Sequence, residues 1–278
     1  MQIISSGTHL VAKGALLLAS PLTVALFRFL AASAALLAVR QFWGTRQAIE
    51  RRDWPAFLLL GFLVVPVNQG CFLFGLSSST PSHASLLYAM TPLVVLLFAG
   101  RLLHEERLVA KTVGIMVAFL GVGVILFERG LRNELTVLRG DLIILVAVFG
   151  WSLYTVLSKR LLTRYDPMTV TTWSIVSGTA LSLPAFLIPG AIQPIASIRP
   201  EVWGALLYLS IGTNVVAYPL WSYALKNMDA SKVAITANTQ PILTGLLSWI
   251  VFREEFTPGF IAGGLLILAA VTWVETRR

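Results

Sequence analysis

The sequence predicts an all-α integral membrane protein: ten transmembrane helices built as two inverted five-helix repeats. Three observations predict it. The 278 residues are 56% hydrophobic and 12% charged, with mean hydropathy +0.80, where a soluble domain carries about 25% charge. The second half repeats the first without gaps. A shift of 149 positions lays Trp54 on Trp203, Ala56 on Ala205, Leu76 on Leu225, Pro92 on Pro241 and Gly114 on Gly263, and a shift of 146 lays Lys13 on Lys159 and Pro21 on Pro167. Basic residues, finally, are shared unequally between the two sides that such a chain would have.

A spanning helix needs about 20 mostly apolar residues. The first unit offers spans at 2–19, 22–40, 54–76, 81–101 and 108–127, and the second at 140–160, 167–188, 201–225, 230–252 and 257–275. Five spans per unit is an odd number, so the second unit enters the membrane upside down. No charge precedes His9 and no small-residue cleavage site follows, so the first span is expected to stay as a helix and not act as a signal peptide. A polar-to-basic segment, 41–53, links spans two and three. Spans three and four meet at LSSSTPSHAS and their mates at LKNMDASKVA, tight connections in which Pro81 or Asp229 precedes a helix start. The most polar stretch, ERGLRNELTVLRGD at 128–141, divides the units. Gly114 and Gly121, then Gly259 and Gly263, stripe spans five and ten with small residues that let helix backbones approach. Trp54, Trp203 and Trp273 lie at span ends and read as interface anchors.

A cytoplasmic N-terminus puts 14 of the 21 Lys and Arg residues on the cytoplasmic side and five outside, with Lys13 and Arg28 inside spans. This is the positive-inside pattern, and it sets both termini in the cytoplasm of a multi-pass protein of the inner (plasma) membrane. The 128–141 loop runs against it, with three arginines on the outer face. The formal charge of +8 is therefore topological and excludes a nucleic-acid partner, leaving membrane lipids as a secondary attraction. A single cysteine, Cys71, excludes an intramolecular disulfide. No H-E-x-x-H, G-x-S-x-G, Cys-x-x-Cys or phosphate-cradling glycine loop occurs, so neither an enzyme, nor a metal, nor a cofactor has a visible site. Inverted repeats usually build a solute pathway that opens alternately to each side.

Ala84-x7-Pro92, Glu105-Glu106 and Gly114 recur as Ala234-x6-Pro241, Glu254-Glu255 and Gly263, with Lys13 and Lys159 near the end of each unit's first span and Arg28 in the second. This pattern resembles the EamA-like branch of the drug/metabolite transporter superfamily over nearly the whole chain. The resemblance implies two inverted repeats, here 1–130 and 131–278, a central cavity, and export of amino acids and other small metabolites. The chain departs from the family in its short start, which lacks the usual aromatic-glycine opening of the first helix.

Candidate site residues follow from the cost of polarity in lipid. Lys13 and Lys159 sit in mirror positions, where they cap cavity mouths, hold a carboxylate, or snorkel to the interface. Arg28 suits a substrate carboxylate through forked hydrogen bonds, or braces the repeats. His83 follows Pro81, to gate or sense protons or to bond at a helix end. Lys13, Arg28 and His83 are the gating or coupling candidates. The substrate-binding candidates are His83, the amides Asn68, Gln69, Asn214, Asn238 and Gln240, and the aromatics Phe72, Tyr88, Trp151, Tyr154, Trp173, Tyr218 and Trp221. Inter-helix bonding and ordinary packing are the competing uses of these residues. The Glu-Glu pairs are expected to serve structure, starting the next helix.

The function expected is a secondary transporter for a small-molecule solute, a monomer or weak homodimer. An intramembrane enzyme on lipid-type substrates, a membrane scaffold, and a sugar-nucleotide or drug carrier are the alternatives. With no acidic residue expected mid-membrane, transport is either facilitated or coupled through His83 or Lys13.

Overall fold

The computed structural model describes residues 1–43, 47–102, 109–131 and 134–276, and among these every regular element is helical. The α-helices are α1 (Gln2–Leu16), α2 (Pro21–Trp43), α3 (Trp54–Phe62), α4 (Cys71–Ser78), α5 (Pro81–Tyr88), α6 (Thr91–Leu102) and α7 (Val109–Leu131). They continue as α8 (Leu135–Leu162), α9 (Pro167–Phe186), α10 (Pro200–Leu207), α11 (Tyr218–Asn227), α12 (Ala230–Ile235), α13 (Gln240–Phe252) and α14 (Pro258–Thr276). Four helical runs, 21–42, 51–78, 81–100 and 135–162, are long and apolar enough to cross a bilayer. This is a multi-pass membrane protein.

Helix starts are written in local chemistry. Pro21 and Pro167 occupy first-turn positions, where a missing N–H costs nothing. Before them stand Ser20, whose Oγ accepts the Thr23 N–H at 3.2 Å, and Asp166, whose Oδ1 accepts the Thr169 N–H at 3.0 Å. Proline also decides where the long runs loosen. Pro66 cannot donate to the carbonyl one turn back, and the helix widens into a π segment over Leu63–Gly70. A second π segment, Tyr208–Ala217, ends just before Pro219. The expected fourth span is broken at Ala89–Met90, ahead of Pro92, and the ninth passes through a 3-10 turn, Thr236–Thr239, ahead of Pro241.

Packing follows membrane logic, in which Leu against lipid and Leu against Leu are nearly equivalent. Large apolar side chains face outward, with Leu120 66% and Phe127 69% exposed, while Ser152, Thr155, Ser158, Thr171, Thr172 and Ser174 are buried. Small residues set the closest approaches. A Cβ on Gly121 would lie 2.6 Å from the Gly263 carbonyl oxygen, and one on Gly178 2.4 Å from that of Gly61. Gly75 of α4 meets Gly140 of α8 in the same way, at 2.6 Å.

Two expectations need correction. Helix α8 begins at Leu135, so the 128–141 stretch expected as a polar connection is helical from there on, and Asp141 at its end is fully buried. Glu254 and Glu255 precede α14, which starts at Pro258, so they do not open that helix. Glu254 instead accepts hydrogen bonds from Ser82 at 2.8 Å and from Ser248. Glu105-Glu106 lie outside the described residues.

Candidate functional site

Helix α1, both π segments, α4, α5, α8, α11 and the Pro241 turn converge on one cavity of about 60 Å³. Two larger hollows, of about 210 and 260 Å³, have linings that are almost wholly apolar and hold no convergent polar groups. The central cavity differs in its lining. The widened π turn directs two sequence neighbours, Asn68 and Gln69, to it. Asn68 Nδ2 donates to Tyr88 OH at 2.6 Å and to the Ala147 carbonyl at 2.9 Å, and Gln69 Nε2 donates to Asn68 Oδ1 at 2.6 Å. His9 Nδ1 lies 3.2 Å from the Ser5 carbonyl, and its ring stands edge-on to Phe72 and Tyr88. Thr8 and Thr213 meet hydroxyl to hydroxyl at 2.8 Å. Gln240 Nε2 donates to Gln2 Oε1 at 2.6 Å. Trp151 stacks on Tyr154 at 5.3 Å and packs against Tyr218 and Trp221 at 5.1 and 5.4 Å.

Four buried polar atoms of the lining have no hydrogen-bond partner among the described residues: His9 Nε2, Gln69 Oε1, Thr91 Oγ1 and Trp221 Nε1. Buried polar atoms are normally satisfied, so donors and an acceptor left open around one void are what a polar solute would use. The void is small beside the roughly 300–1,000 Å³ of ligand pockets, so a metabolite fits after the helices part. Among the described residues no three His, Cys, Asp or Glu side chains gather to hold a metal.

Of the residues singled out from the sequence, the structure brings Asn68, Gln69, Phe72, Tyr88, Trp151, Tyr218, Trp221 and Gln240 together around the cavity. Tyr154 lies behind Trp151, and Asn214 lies behind Thr213, where it accepts a long 3.5 Å contact from Arg28 Nη2. Asn238 is half-buried between the lining residues Ala237 and Gln240. Trp173 is elsewhere, edge-on to Trp54 at 5.2 Å with the Arg40 guanidinium 5.7 Å from its ring centre. His83 is also outside the cavity: its Nδ1 lies 3.0 Å from Asp141 Oδ2, and Ser79 Oγ bonds the other Asp141 oxygen.

Lys13 and Lys159 are helix caps. Lys13 Nζ donates to the carbonyls of Leu76, Ser77 and Ser79 at the end of α4. Lys159 Nζ donates to those of Leu225, at 2.8 Å, and Met228 at the end of α11. Leu76 and Ser79 align with Leu225 and Met228 at the 149-residue shift. Arg28 is different. It is fully buried on α2, where a charge costs about 2.5–3.5 kcal/mol on insertion scales, yet its Nε and Nη1 have no partner among the described residues.

Sequence reasoning missed His9, Ser5, Thr8, Thr91 and Thr213. Ser5, Thr8 and His9 share one helix face at spacings of three and four, a polar stripe that was available in the first span.

The comparisons with known proteins agree with this architecture. The model of the EamA-like transporter family matches residues 2–127 and 138–276. An uncharacterized transporter of Archaeoglobus fulgidus is 31% identical over 97% of this chain and 92% of its own length. The Bacillus subtilis uncharacterized transporter YyaM is 27% identical over 97% and 90%. A probable terminal-alkyne amino-acid exporter of Streptantibioticus cattleyicolor is 25% identical over 91% and 84%. A solved structure superposes with TM-score 0.70 over 99% of this chain and 94% of its own, at 20% identity, which shows a shared fold. This chain belongs to the EamA-like transporter family.

Proposed function

We propose that the chain is a secondary transporter that exports small organic metabolites, amino acids and related solutes, by alternating access through the central cavity. The observation that carries this reading is the cavity itself: both π segments contribute to its lining, and open polar atoms face it between aromatic walls. Export of an amino acid is named for the relative from Streptantibioticus cattleyicolor, and a cavity of amides, hydroxyls and indoles suits such a solute better than a highly anionic nucleotide.

The mechanism rests on two inverted repeats, 1–130 and 131–278, carrying ten spans with both termini in the cytoplasm of the inner membrane. Contacts that recur at the repeat shift support it. Ser33 bonds its own mate Thr179 at 3.0 Å, as residues on a two-fold axis do. The Ser20 N–H donates to Gln193 Oε1 at 3.3 Å, and 146 positions on the Asp166 N–H donates to Gln47 Oε1 at 3.2 Å. In the proposed topology the first contact lies at the outer face and the second at the inner face. Opening one side while holding the other needs a matched pair of closures and a flexible middle, and the π segments supply the latter. The chain acts on its solute without a catalytic step, as a monomer or weak homodimer.

Purified protein in liposomes loaded with a panel of amino acids and related metabolites tests this. Efflux is expected without an imposed proton gradient, and failure to move any solute of the panel would sink the transport reading. Strict dependence on that gradient, abolished by His83→Ala, would replace facilitated with coupled export.

A further inference from the structure

Among the described residues, two lysines that enter the helix interior are held by backbone carbonyls, and Arg28 is not. Lys13 uses three carbonyl oxygens and Lys159 two. Arg28 is more deeply buried than either, at 0% exposure, and has one polar contact, at the 3.5 Å limit, from Nη2 to Asn214 Oδ1. Nε and Nη1 carry three of the five guanidinium N–H bonds, and neither has a partner among the described residues. The face of the Phe29 ring, 5.1 Å from the guanidinium carbon, is its remaining support.

We infer that Arg28 anchors a carboxylate of the transported solute, an inference that rests on the transport reading above. A guanidinium buried in a membrane bundle requires a counter-charge or a set of acceptors. Arg28 lacks the carbonyls that the two lysines have, and the ion pairs of the described residues supply it no counter-charge. Its forked donors match the two oxygens of a carboxylate. Its position fits too. Arg28 stands one layer behind the cavity wall, within electrostatic reach of the Tyr88 and Tyr218 hydroxyls, and its partner Asn214 adjoins the lining residue Thr213. When the helices part to admit a solute, the carboxylate passes between the two tyrosines to the guanidinium. The repeat shift places Ser174 opposite Arg28. At this pair of positions the cation comes from the first half, so the carboxylate end of the solute is held toward that half.

Paired solutes in proteoliposomes test the inference: amino acids and 2-hydroxy acids, each with its amide and its decarboxylated analogue. Wild-type protein should move the acids, and the amides should compete at least about thirtyfold more weakly, the lower range for truncating one partner of a buried charge pair. Arg28→Met should lose acid transport and the thermal stabilisation that acids confer, with partial return in Arg28→Lys. The unliganded Tm of Arg28→Met separates the roles, because a structural brace lowers it and an unpaired ligand anchor does not. Amides competing as well as acids, or acids stabilising Arg28→Met as they do wild type, would overturn the inference while leaving transport standing. If no solute of any class moves, the transport reading itself fails.

Discussion

Ser33 and Thr179 meet hydroxyl to hydroxyl at 3.0 Å, and they stand 146 residues apart, the shift that lays Lys13 on Lys159. The same shift turns the Ser20–Gln193 contact into Asp166–Gln47. The two copies are not equal in strength. Around Gln193 the partners are neutral: Thr23 Oγ1 accepts the Gln193 N–H at 2.9 Å and Ser20 Oγ donates to the Ala191 carbonyl at 3.2 Å. Around Gln47 the closure is ionic. Arg164 reaches Glu50 at 2.6 Å and Asp53 at 2.6 Å, and Tyr165 OH donates to Asp53 at 2.6 Å.

The ionic closure predicts an acid-sensitive contact. The hydrogen bond from Arg164 holds the Glu50 carboxyl below its usual range. A depressed carboxyl adds stability that is present above the ordinary carboxylate value of about 4 and is lost as pH falls through the lower native value. Thermal melts from pH 7 down to 3 should show wild type losing stability on acidification, with a smaller loss in Arg164→Gln. Parallel curves for the two proteins would remove the closure from the account.

The lysine caps predict equal effects from mirrored substitutions. Lys13→Met and Lys159→Met each strip a cation from the last carbonyls of a helix, a loss of about 1–2 kcal/mol by the usual worth of a charged hydrogen bond at a helix C-terminus. Denaturant unfolding should give similar values for both. A transport defect confined to Lys13→Met at unchanged stability would mean a coupling role instead.

The Asp141–His83 pair predicts a strongly coupled site. Asp141 is fully buried and serves both His83 and Ser79. Asp141→Ala should cost about 3 kcal/mol, at the low end for breaking a buried pair, and adding His83→Ala should cost little more. Additive losses in the double mutant would show that the two side chains do not act as a unit.

Glycine substitutions should separate packing from mere presence in a span. Gly121→Leu must displace α14, since its Cβ alone would come within 2.6 Å of the Gly263 carbonyl oxygen, whereas Gly123 has nothing within 4 Å. We expect about 1–3 kcal/mol of destabilisation for the first and little for the second, measured by thermal unfolding in detergent. Equal tolerance of both would contradict the observed α7–α14 contact.

Much of the fold was legible in the residues themselves. Spans, proline helix starts and the duplicated register depend on composition and neighbours along the chain, and Pro66, Pro92, Pro219 and Pro241 mark where backbone bonding must loosen. Membrane immersion and helix order follow from such local quantities. The direction each side chain faces does not. Helices α2 and α8 are apolar almost all round, and lipid and protein interior are equally apolar surroundings, so no amphipathic stripe tells inside from outside. Tertiary packing alone therefore placed Trp151 at the cavity and Trp173 against Trp54, brought His9 inward, and paired Asp141 with His83. It likewise gave Lys13 its three carbonyls and left Arg28 with most of its donors open.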